Sequence, residues 1–463
     1  MNMATRTGQV MEAIRNRLSS RALSPGEKLP SIRRFAAKMG VSPSTVVEAY
    51  DRLAAEGLIQ SRPGSGFYAS GSAAPFVMAE VSPAADRAID PLWVSRQSLD
   101  AHPDMLKPGC GWLPSDWMPN SAIRKAIRGL ARAEDEILSD YGGTRGGANL
   151  RRLLARQLSD EGLSVDLDQI LLTVSGTQAI DLLCRFLVRP GDAVIVDDPC
   201  YFNFQALLKA HQVKIIGVPY TQAGPDLACF TEALKEHNPR LYITNSALQN
   251  PTGATISPKV AHQVLNAAAA HDLIIIEDDI FAGYEPESSP RLAPLDGLDR
   301  VIRIGSFSKT LSASVRCGYI VARPDWIEPL VDLQVATSFG GPSPFAVELL
   351  YSVLSDGTYR KHMESVRRRL GRLRSETAVN LDRLGIRPWL MPRGGFYLWC
   401  TLPGELDSAD LARATLRENV VLAPGNVFSP SQSKSSFIRF NVSQMEDPEI
   451  YEVLARAMSG ETQ

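Results

Sequence analysis

Runs of apolar, strand-forming residues alternate with helical segments over most of this 463-residue chain, and this alternation constrains its fold most strongly. Strands that are apolar throughout, rather than at every second residue, are typical of a sheet buried on both faces. The pattern therefore predicts a large α/β domain with a mostly parallel sheet covered by helices. The apolar runs occupy residues 193–196, 213–218, 241–244, 273–276, 301–304 and 319–322, with helical periodicity at 178–187 and 260–270.

Unusual polar residues follow three consecutive runs of this series. Asn250 follows the third run, Asp278 follows the fourth, and Ser306, Ser308 and Lys309 follow the fifth. Ligands of open parallel sheets bind outside the carboxyl ends of the strands. We therefore expect these side chains to meet at one edge of one sheet.

The residue types at this edge indicate covalent amine chemistry. A lysine just beyond a buried strand is a candidate for Schiff-base formation, because burial lowers the pKa of its amine. Asp278 is suited to hold a proton on a ring nitrogen, so that the ring acts as an electron sink. Taken alone, Lys309 would be interpreted as a surface lysine; its neighbours favour the functional interpretation.

A phosphate site is predicted beside this lysine. Ser306, Ser308 and Arg316 lie within eleven residues and supply two hydroxyls and a forked cation. Gly176 and Thr177 open a predicted helix, whose N-terminal amides bind anions. Together these residues predict a bound phosphate group.

The first seventy residues show a different pattern, typical of a winged helix-turn-helix that is mainly α-helical with a β wing. Helical spacing of apolar residues predicts three helices; Ser31 begins the second, Gly40 ends it, and Ser42 caps the third. The second helix of a helix-turn-helix unit enters the major groove of DNA. Ser44 and Thr45 add hydroxyls suited to phosphates and base edges.

Two short strands with a basic, glycine-rich tip follow the third helix and predict the wing. Gly64 and Gly66 lie in the tip, and Arg62 begins it. Arg62 and Arg33 are expected to contact DNA phosphates from either side. An ordinary three-helix cluster with no DNA partner is the alternative interpretation of this segment.

The first seventy residues resemble the GntR-type DNA-binding head of bacterial repressors. The similarity runs through Leu-Pro-Ser-Ile-Arg from residue 29, Val-Ser-Pro-Ser-Thr-Val from residue 41 and Arg-Pro-Gly-Ser-Gly from residue 62. Pro43 and Val47 depart from the arginines that many members carry at these positions. This departure predicts that other residues read the operator sequence here.

The body, from about residue 91 to the C-terminus, resembles a fold-type I pyridoxal-phosphate aminotransferase of the aspartate aminotransferase superfamily, with a smaller C-terminal α+β subdomain. The similar motifs are Tyr-Gly-x-x-x-Gly-x-x-x-Leu-Arg from residue 141, Asp-Asp-Pro-Cys-Tyr from 197, Asn-Pro-Thr-Gly from 250, Ser-Phe-Ser-Lys from 306 and Phe-Ile-Arg-Phe-Asn-Val from 437. The resemblance implies pyridoxal 5′-phosphate as the cofactor.

By this resemblance, Lys309 forms the internal aldimine and Asp278 pairs with the pyridine nitrogen. Asn250 bonds the phenolic oxygen, Tyr201 stacks on the ring, and Arg439 binds a substrate carboxylate. The resemblance assigns the phosphate to Gly176, Thr177, Ser306, Ser308 and Arg316, and to Tyr141 of the neighbouring subunit. Tyr201 as a packing residue and Ser308 as a strand-end cap are the alternatives.

One departure from the aminotransferase pattern affects the expected chemistry. Phe281 stands three residues after Asp278, where related enzymes usually carry a tyrosine that bonds the phenolic oxygen. Loss of that hydroxyl removes a hydrogen bond worth roughly 0.5–1.5 kcal/mol. It is expected to shift the aldimine pKa and to weaken transamination; Tyr284 is the nearest tyrosine in sequence.

The whole chain thus resembles the MocR/GabR architecture of bacterial transcriptional regulators, with a head at residues 1–70, a linker at 71–90 and a body at 91–463. The resemblance implies a homodimer that binds double-stranded operator DNA and senses pyridoxal phosphate, or an amino compound, by aldimine exchange at Lys309. Two alternatives are a working aminotransferase that carries a DNA-binding head, and a DNA-binding protein whose body only dimerises.

Composition agrees with an intracellular regulator. Residues 1–70 hold ten basic and five acidic residues, whereas the remainder holds 39 basic and 46 acidic residues, so the head is suited to a polyanion. The six cysteines form no C-x-x-C pair, which argues against disulfides or a metal site. No signal peptide or membrane-length apolar stretch is visible, so the chain is expected in the cytoplasm.

Overall fold

The computed structural model describes residues 5–19, 23, 28–62, 65–70, 91–100 and 102–460, so the predicted linker at 71–90 lies outside the described residues. The chain divides into two compact units between Asp86 and Arg87. Within the described residues, no helix has the length and apolar character needed to cross a membrane.

The N-terminal unit consists of three helices and a two-stranded hairpin. Val46, Tyr50 and Leu53 of the third helix are fully buried and form its core with side chains of the first two helices. The elements are α1 (Arg6–Ser19), α2 (Ile32–Met39), α3 (Pro43–Ala55), β1 (Ile59–Arg62) and β2 (Gly66–Ala69).

Local signals in the sequence set the boundaries of α2 and α3. The Ser31 hydroxyl accepts a hydrogen bond from the main chain of α2, and the Ser42 hydroxyl does the same for α3. Gly40 ends α2 in the left-handed conformation at φ 63°, which glycine adopts without steric cost. The predicted winged helix-turn-helix is therefore confirmed, although Gly64 lies outside the described residues.

The body contains a large sheet of eight strands among its described residues. The strand order is β3-β10-β9-β8-β7-β4-β5-β6; β9, β8, β7, β4 and β5 are parallel, and β10 is antiparallel to both of its neighbours. The strands are β3 (Ile170–Thr173), β4 (Ala193–Asp198), β5 (Lys214–Thr221), β6 (Gly224–Pro225), β7 (Leu241–Thr244), β8 (Ile274–Asp278), β9 (Val301–Ser306) and β10 (Gly318–Val321).

Helices cover both faces of this sheet, because successive buried side chains of one strand enter opposite apolar layers. Ile195 belongs to the apolar layer that contains side chains of α7, α10, α11 and α14, whereas Val194 and Val196 belong to the layer that contains side chains of α8, α9 and α13. The helices are α4 (Pro91–Leu99), α5 (Asn120–Leu130), α6 (Asp135–Ser139), α7 (Ala148–Asp160), α8 (Gly176–Leu187), α9 (Phe202–Ala210), α10 (Leu227–His237), α11 (Pro258–Ala270), α12 (Leu292–Asp296), α13 (Pro324–Ser338) and α14 (Pro344–Ser355).

A smaller α+β part follows and contains an antiparallel sheet ordered β11-β12-β14-β13. Its apolar core includes the fully buried Phe396, Trp399 and Phe440. Its elements are α15 (Thr358–Asp382), β11 (Arg387–Pro388), β12 (Tyr397–Thr401), α16 (Ser408–Arg417), β13 (Ala423–Pro424), β14 (Phe437–Asn441) and α17 (Glu449–Ser459). The predicted mostly parallel sheet with a smaller C-terminal subdomain is confirmed, and the observed strands start or end within three residues of the predicted runs.

The segment before α5 packs closely against the smaller α+β part of the body at Gly109. Its amide donates to the Val421 carbonyl at 2.8 Å, and a Cβ there would lie 2.3 Å from the main chain of Leu422. We expect Gly109→Ala to lower the free energy of unfolding by about 1–3 kcal/mol, because the main chain must move. Thermal unfolding measures the change.

Gly129→Ala is the matched control, since a Cβ on this glycine of α5 meets nothing within 4 Å. It should raise stability by about 0.5–1 kcal/mol through helix propensity. Equal melting temperatures for the two variants would contradict the close packing at Gly109.

Candidate functional site

The strand ends predicted to meet do meet at one edge of the large sheet. Asp278 ends β8 and Ser306 ends β9, and these two strands are parallel neighbours. The strand β3 is antiparallel to β10, which is antiparallel to β9, so β3 also ends at this edge and leads into α8. The edge therefore combines residues that are distant in sequence.

Lys309 lies in the loop that follows β9. Its Nζ donates to the Gly111 carbonyl at 2.7 Å, and the Tyr284 hydroxyl donates to the Lys309 main-chain carbonyl. Burial lowers the pKa of the Lys309 amine to about 8, and the nearby positive charge of Arg439 acts in the same direction. A lysine with this pKa supplies a neutral, nucleophilic amine close to neutral pH.

Asp278 is 3% exposed, and both its side chain and its main chain accept hydrogen bonds. Its Oδ1 accepts from the Ile280 amide at 3.3 Å, and Asn245 Nδ2 donates to its main-chain carbonyl at 2.8 Å. Burial raises the pKa of Asp278 to about 7, and the charge of Asp279 adds to this effect. A cationic partner, such as a protonated ring nitrogen, would favour the ionised form.

A set of potential anion ligands surrounds the start of α8. The Ser175 hydroxyl caps α8 by accepting from the Gln178 amide, and the preceding amides of Gly176 and Thr177 have no acceptor within the helix. A Cβ on Gly176 would stand 3.5 Å from the Cβ of Ser306, so these two residues face each other. The Ser306 hydroxyl in turn donates to the Ser308 hydroxyl at 3.1 Å.

Arg316 adds a cation to this edge in an unusual backbone conformation. The residue is exposed and has φ 50°, in the left-handed region that non-glycine residues rarely occupy. Such a conformation costs about 1–3 kcal/mol and is concentrated at functional sites. Its positive charge is one of the causes that lower the pKa of Lys309.

Arg439 is the second buried cation of the site. Its Nη1 donates to Asn250 Oδ1 and its Nη2 to the Gly109 carbonyl, both at 2.8 Å. The guanidinium carbon lies 4.2 Å from the centre of the Tyr397 ring, and the side chain is only 1% exposed. Nε has no hydrogen-bond partner, and no carboxylate among the described residues lies within ion-pair distance.

Lys309 and Arg439 line one pocket together with Tyr201 and Asn250. A Cβ on Gly111 would stand 3.8 Å from Lys309 Nζ and 3.9 Å from Arg439 Nη2. The two nitrogens therefore both lie within van der Waals distance of one point beside Gly111. This pocket can bind a molecule that carries an electrophilic carbon for the amine and a carboxylate for the guanidinium.

The pocket also contains residues that the sequence analysis did not single out. Tyr397 lies beneath Arg439 and its hydroxyl would be 3.3 Å from a Cβ on Gly111. Val94 and Ser98 reach the pocket from α4, and Trp112 follows Gly111. The apolar residues of 91–99 do not recur at helical spacing, and no local signal placed α4 beside the strand ends.

Phe281 lines the pocket, as its position after Asp278 predicted, and packs against Tyr397 with ring centres 5.5 Å apart. Tyr284 does not replace the missing hydroxyl, because its own hydroxyl is bound to the Lys309 main chain. Among the described residues around the pocket, Tyr201 and Tyr397 are the available phenols.

A buried ion cluster lies beneath the same edge and was also missed. Asp279 contacts Arg291 Nε at 2.8 Å and Arg303 Nη2 at 2.6 Å, and all three side chains are nearly inaccessible to solvent. Arg291 also contacts Glu285 at 2.6 Å. Buried charges require partners. The ion pairs of Asp279 therefore fix the position of the chain that follows Asp278.

Tyr141 does not join the pocket of its own chain. It is 77% exposed and packs edge-on against Phe339, itself 69% exposed, with ring centres 4.9 Å apart. Phe339 ends α13 in the left-handed conformation at φ 55°. Two large aromatic rings are thus held together at the surface.

The residues at the sheet edge fit pyridoxal 5′-phosphate. A nucleophilic amine at Lys309, a buried carboxylate at Asp278 and the free amides and hydroxyls at the start of α8 match the aldehyde, ring nitrogen and phosphate of this cofactor. The unpaired Arg439 matches a ligand carboxylate. The donor set therefore agrees with the cofactor that the resemblance implied.

In the N-terminal unit, hydroxyl groups gather at the start of α3. Ser42 Oγ lies 2.8 Å from Ser44 Oγ and 2.7 Å from Thr45 Oγ1, and it accepts from the Thr45 amide at 3.2 Å. Ser42 and Ser44 are exposed, as is Arg33 on α2. A helix N-terminus with exposed hydroxyls is suited to a phosphate group.

The wing presents a second basic surface. The Arg62 guanidinium stacks 4.4 Å from the centre of the Tyr68 ring, and Lys28 Nζ lies 6.0 Å from the same ring. Gly66, the first residue of β2, has φ 101°, a conformation that glycine adopts readily. Lys28 and Tyr68 were not predicted, because their proximity depends on the bridge between residue 28 and the wing.

Comparison with known families assigns both units. Residues 113–456 match the family described as "Aminotransferase class I and II", and residues 6–69 match "Bacterial regulatory proteins, gntR family". These ranges cover the body and the head separately.

Curated relatives and solved structures agree with the family matches. The chain is 29% identical to the uncharacterized HTH-type transcriptional regulator YdcR of Escherichia coli (strain K12), over 94% of each protein. It is 26% identical to the HTH-type transcriptional regulator NorG of Staphylococcus aureus (strain USA300), over 89% of this chain and 95% of NorG.

Among solved structures, the chain is similar to LysN, the α-aminoadipate aminotransferase of Thermus thermophilus, complexed with N-(5′-phosphopyridoxyl)-L-leucine. The TM-score is 0.73 with 26% identity, covering 80% of this chain and 95% of LysN. The chain therefore belongs to the aminotransferase class I and II family, and its gntR-family head gives it the MocR/GabR architecture of bacterial transcriptional regulators.

Proposed function

We propose that the body of this regulator binds pyridoxal phosphate and senses a carboxylate-bearing amino compound at Lys309, and that the head binds double-stranded operator DNA. One observation carries the proposal: Lys309 and the buried Arg439 line one pocket without a carboxylate partner among the described residues. A buried cation without a counter-ion is costly. A protein retains such a pair where a ligand supplies the missing charge.

Each end of an amino acid has a matching group in this pocket. Arg439 is held by Asn250 and Gly109 so that its Nε edge is free of protein acceptors. Lys309 would hold the aldehyde carbon of the cofactor, for which the amine of the effector would compete, and Tyr201 would pack beside the cofactor ring. Gly111 keeps the space between the two cations open.

Pyridoxal phosphate, when bound, supplies an aldehyde carbon that condenses reversibly with amines and a ring that withdraws electrons. The buried Asp278 carboxylate would hold a proton on the ring nitrogen, because a cationic partner favours its ionised form. Gly176, Thr177, Ser306, Ser308 and Arg316 would hold the phosphate.

Regulation requires that the effector favour one arrangement of the protein over another. We assign residues 1–70 to DNA binding, 71–90 to the connection and 91–463 to sensing. An effector held at the cofactor would leave the Lys309 amine free and would place its carboxylate at Arg439. These changes at the pocket supply the free-energy difference that alters DNA binding in the bacterial cytoplasm.

We further propose that the protein is a homodimer. The ring pair of Tyr141 and Phe339 is exposed in one chain, although large aromatic side chains at a surface usually mark a contact site. A second copy would cover this pair and direct Tyr141 towards the phosphate of its partner. Two heads per dimer then bind a two-part operator.

A working aminotransferase is the second candidate, and the presence of Lys309, Asp278 and Arg439 in one site favours it. Phe281 favours the sensor, because the phenol that would bond the cofactor's phenolic oxygen is absent at this position. Product formation over many turnovers distinguishes an enzyme from a sensor.

The visible absorbance of the purified protein with pyridoxal phosphate tests the proposal, followed as single amino acids are added and coupled to operator binding. We expect a band that requires Lys309 and shifts with an effector, without sustained formation of a keto acid. The Lys309→Ala protein should stay folded, lose the band and bind DNA without responding to the effector. A wild-type response in this variant would refute sensing at Lys309.

The lowered pKa of Lys309 predicts a pH dependence for cofactor rebinding. Only the neutral amine attacks an aldehyde, so the rate at which the protein without cofactor recovers its absorbance should rise with pH and level off above about 8. Stopped-flow absorbance measures this rate. A rate that continues to rise far above that pH, as for an ordinary lysine, would contradict the assigned environment.

The basic residues of the head should contribute to DNA affinity through phosphates. We expect Arg33→Ala and Arg62→Ala each to weaken binding to all sequences and to reduce the slope of log affinity against log salt by about 1. Fluorescence anisotropy at several salt concentrations measures both quantities. Arg15→Ala is the control, because Arg15 is engaged with Glu56 at 2.8 Å; an equal effect in this variant would argue against specific contacts.

A further inference from the structure

The helix α4 forms one wall of the ligand pocket. Val94 and Ser98 lie one helical turn apart and are 1% and 3% exposed, so both face the interior of the body. Leu99 also lines the pocket but is 72% exposed, and it therefore stands where the pocket opens to solvent. The ligand contacts α4 directly if it extends beyond the two cations.

The remaining walls are almost entirely apolar. Lys309 and Arg439 are the charged residues among the described residues that line the pocket, and no carboxylate lines it. A cationic side chain of a ligand would find no counter-ion here, and a second carboxylate would find no second arginine. The apolar surface comes from Val94, Leu99, Trp112, Phe202, Ile280 and Phe281.

The pocket also contains a buried polar atom that lacks a partner. The hydroxyl of Ser98 is inaccessible and makes no hydrogen bond within the described structure. A buried hydroxyl without a partner is unfavourable, so we expect a polar group of the occupant, such as its carboxylate, to bind it. This hydroxyl and the free Nε of Arg439 belong to the same pocket.

We infer that the effector is an amino acid with one carboxylate and an uncharged, apolar side chain, and that α4 determines this specificity. The inference rests on the proposed function, because it takes Lys309 and Arg439 as the partners of the amine and the carboxylate. The apolar side chain then lies against α4 and the aromatic rings. Burial of such a side chain is favourable by about 25 cal/mol per Å² of apolar surface.

Titration of the holoprotein with L-leucine, L-phenylalanine, L-glutamate, L-lysine and glycine tests the inference, with calorimetry and visible absorbance as readouts. We expect leucine or phenylalanine to bind at least about tenfold more tightly than glutamate, lysine or glycine, since burial of one such side chain is worth about 1.5–3 kcal/mol. Equal affinity for leucine and glutamate would overturn the inference. No binding of any amino acid, glycine included, would instead refute the proposed function.

A charge at the mouth of the pocket should change this preference. Leu99 is exposed, so Leu99→Lys leaves the fold intact and places a cation beside the ligand side chain. We expect the affinity for glutamate relative to leucine to rise by up to about fivefold, the effect of an exposed ion pair. The control is Leu295→Lys, an equivalent change at a 56% exposed leucine of α12. An unchanged ratio in Leu99→Lys, or the same change in Leu295→Lys, would remove α4 from the site.

Discussion

The hydrogen bonds of the Arg439 guanidinium join the parts of the body that form the pocket. Arg439 lies on β14 of the smaller sheet; one nitrogen donates to Asn250 beyond the large sheet, and another donates to the carbonyl of Gly109. The side chain remains positively charged and has no carboxylate partner among the described residues. Its charge is compensated only in part by the neighbouring rings of Tyr397 and Phe428. A ligand carboxylate would therefore supply the negative charge that Arg439 lacks as a partner.

The large sheet positions the other ionisable groups of the site, Asp278 and Lys309. Parallel strands deliver Asp278 and Lys309 to the same edge, where burial raises the pKa of the carboxyl to about 7 and lowers that of the amine to about 8. Both groups thus change protonation near neutral pH, and a bound cation or aldehyde can select one form. The buried contacts of Asp279 with Arg291 and Arg303 support the chain beside Asp278.

Local rules predicted the three helices and the wing of the N-terminal unit and six strands of the large sheet. The caps at Ser31 and Ser42 and the glycine that ends α2 operate within a few residues, so they are legible in sequence. Apolar runs predicted the buried strands for the same reason. Neither the sequence pattern nor the fold includes a ligand. The roles of individual side chains in cofactor or DNA binding therefore stay predictions.

The sequence by itself determined the elements of the head and six strands of the large sheet, that Asn250, Asp278 and Lys309 share one sheet edge, and that a gntR-type head precedes the body. Only the tertiary structure decided that Tyr397 lies under Arg439 and that α4 lines the pocket. The physical reason is distance along the chain: Arg439 and Gly109 are hydrogen-bonded across 330 residues. Contacts of this kind arise when separate elements pack together, and no local spacing or propensity encodes them.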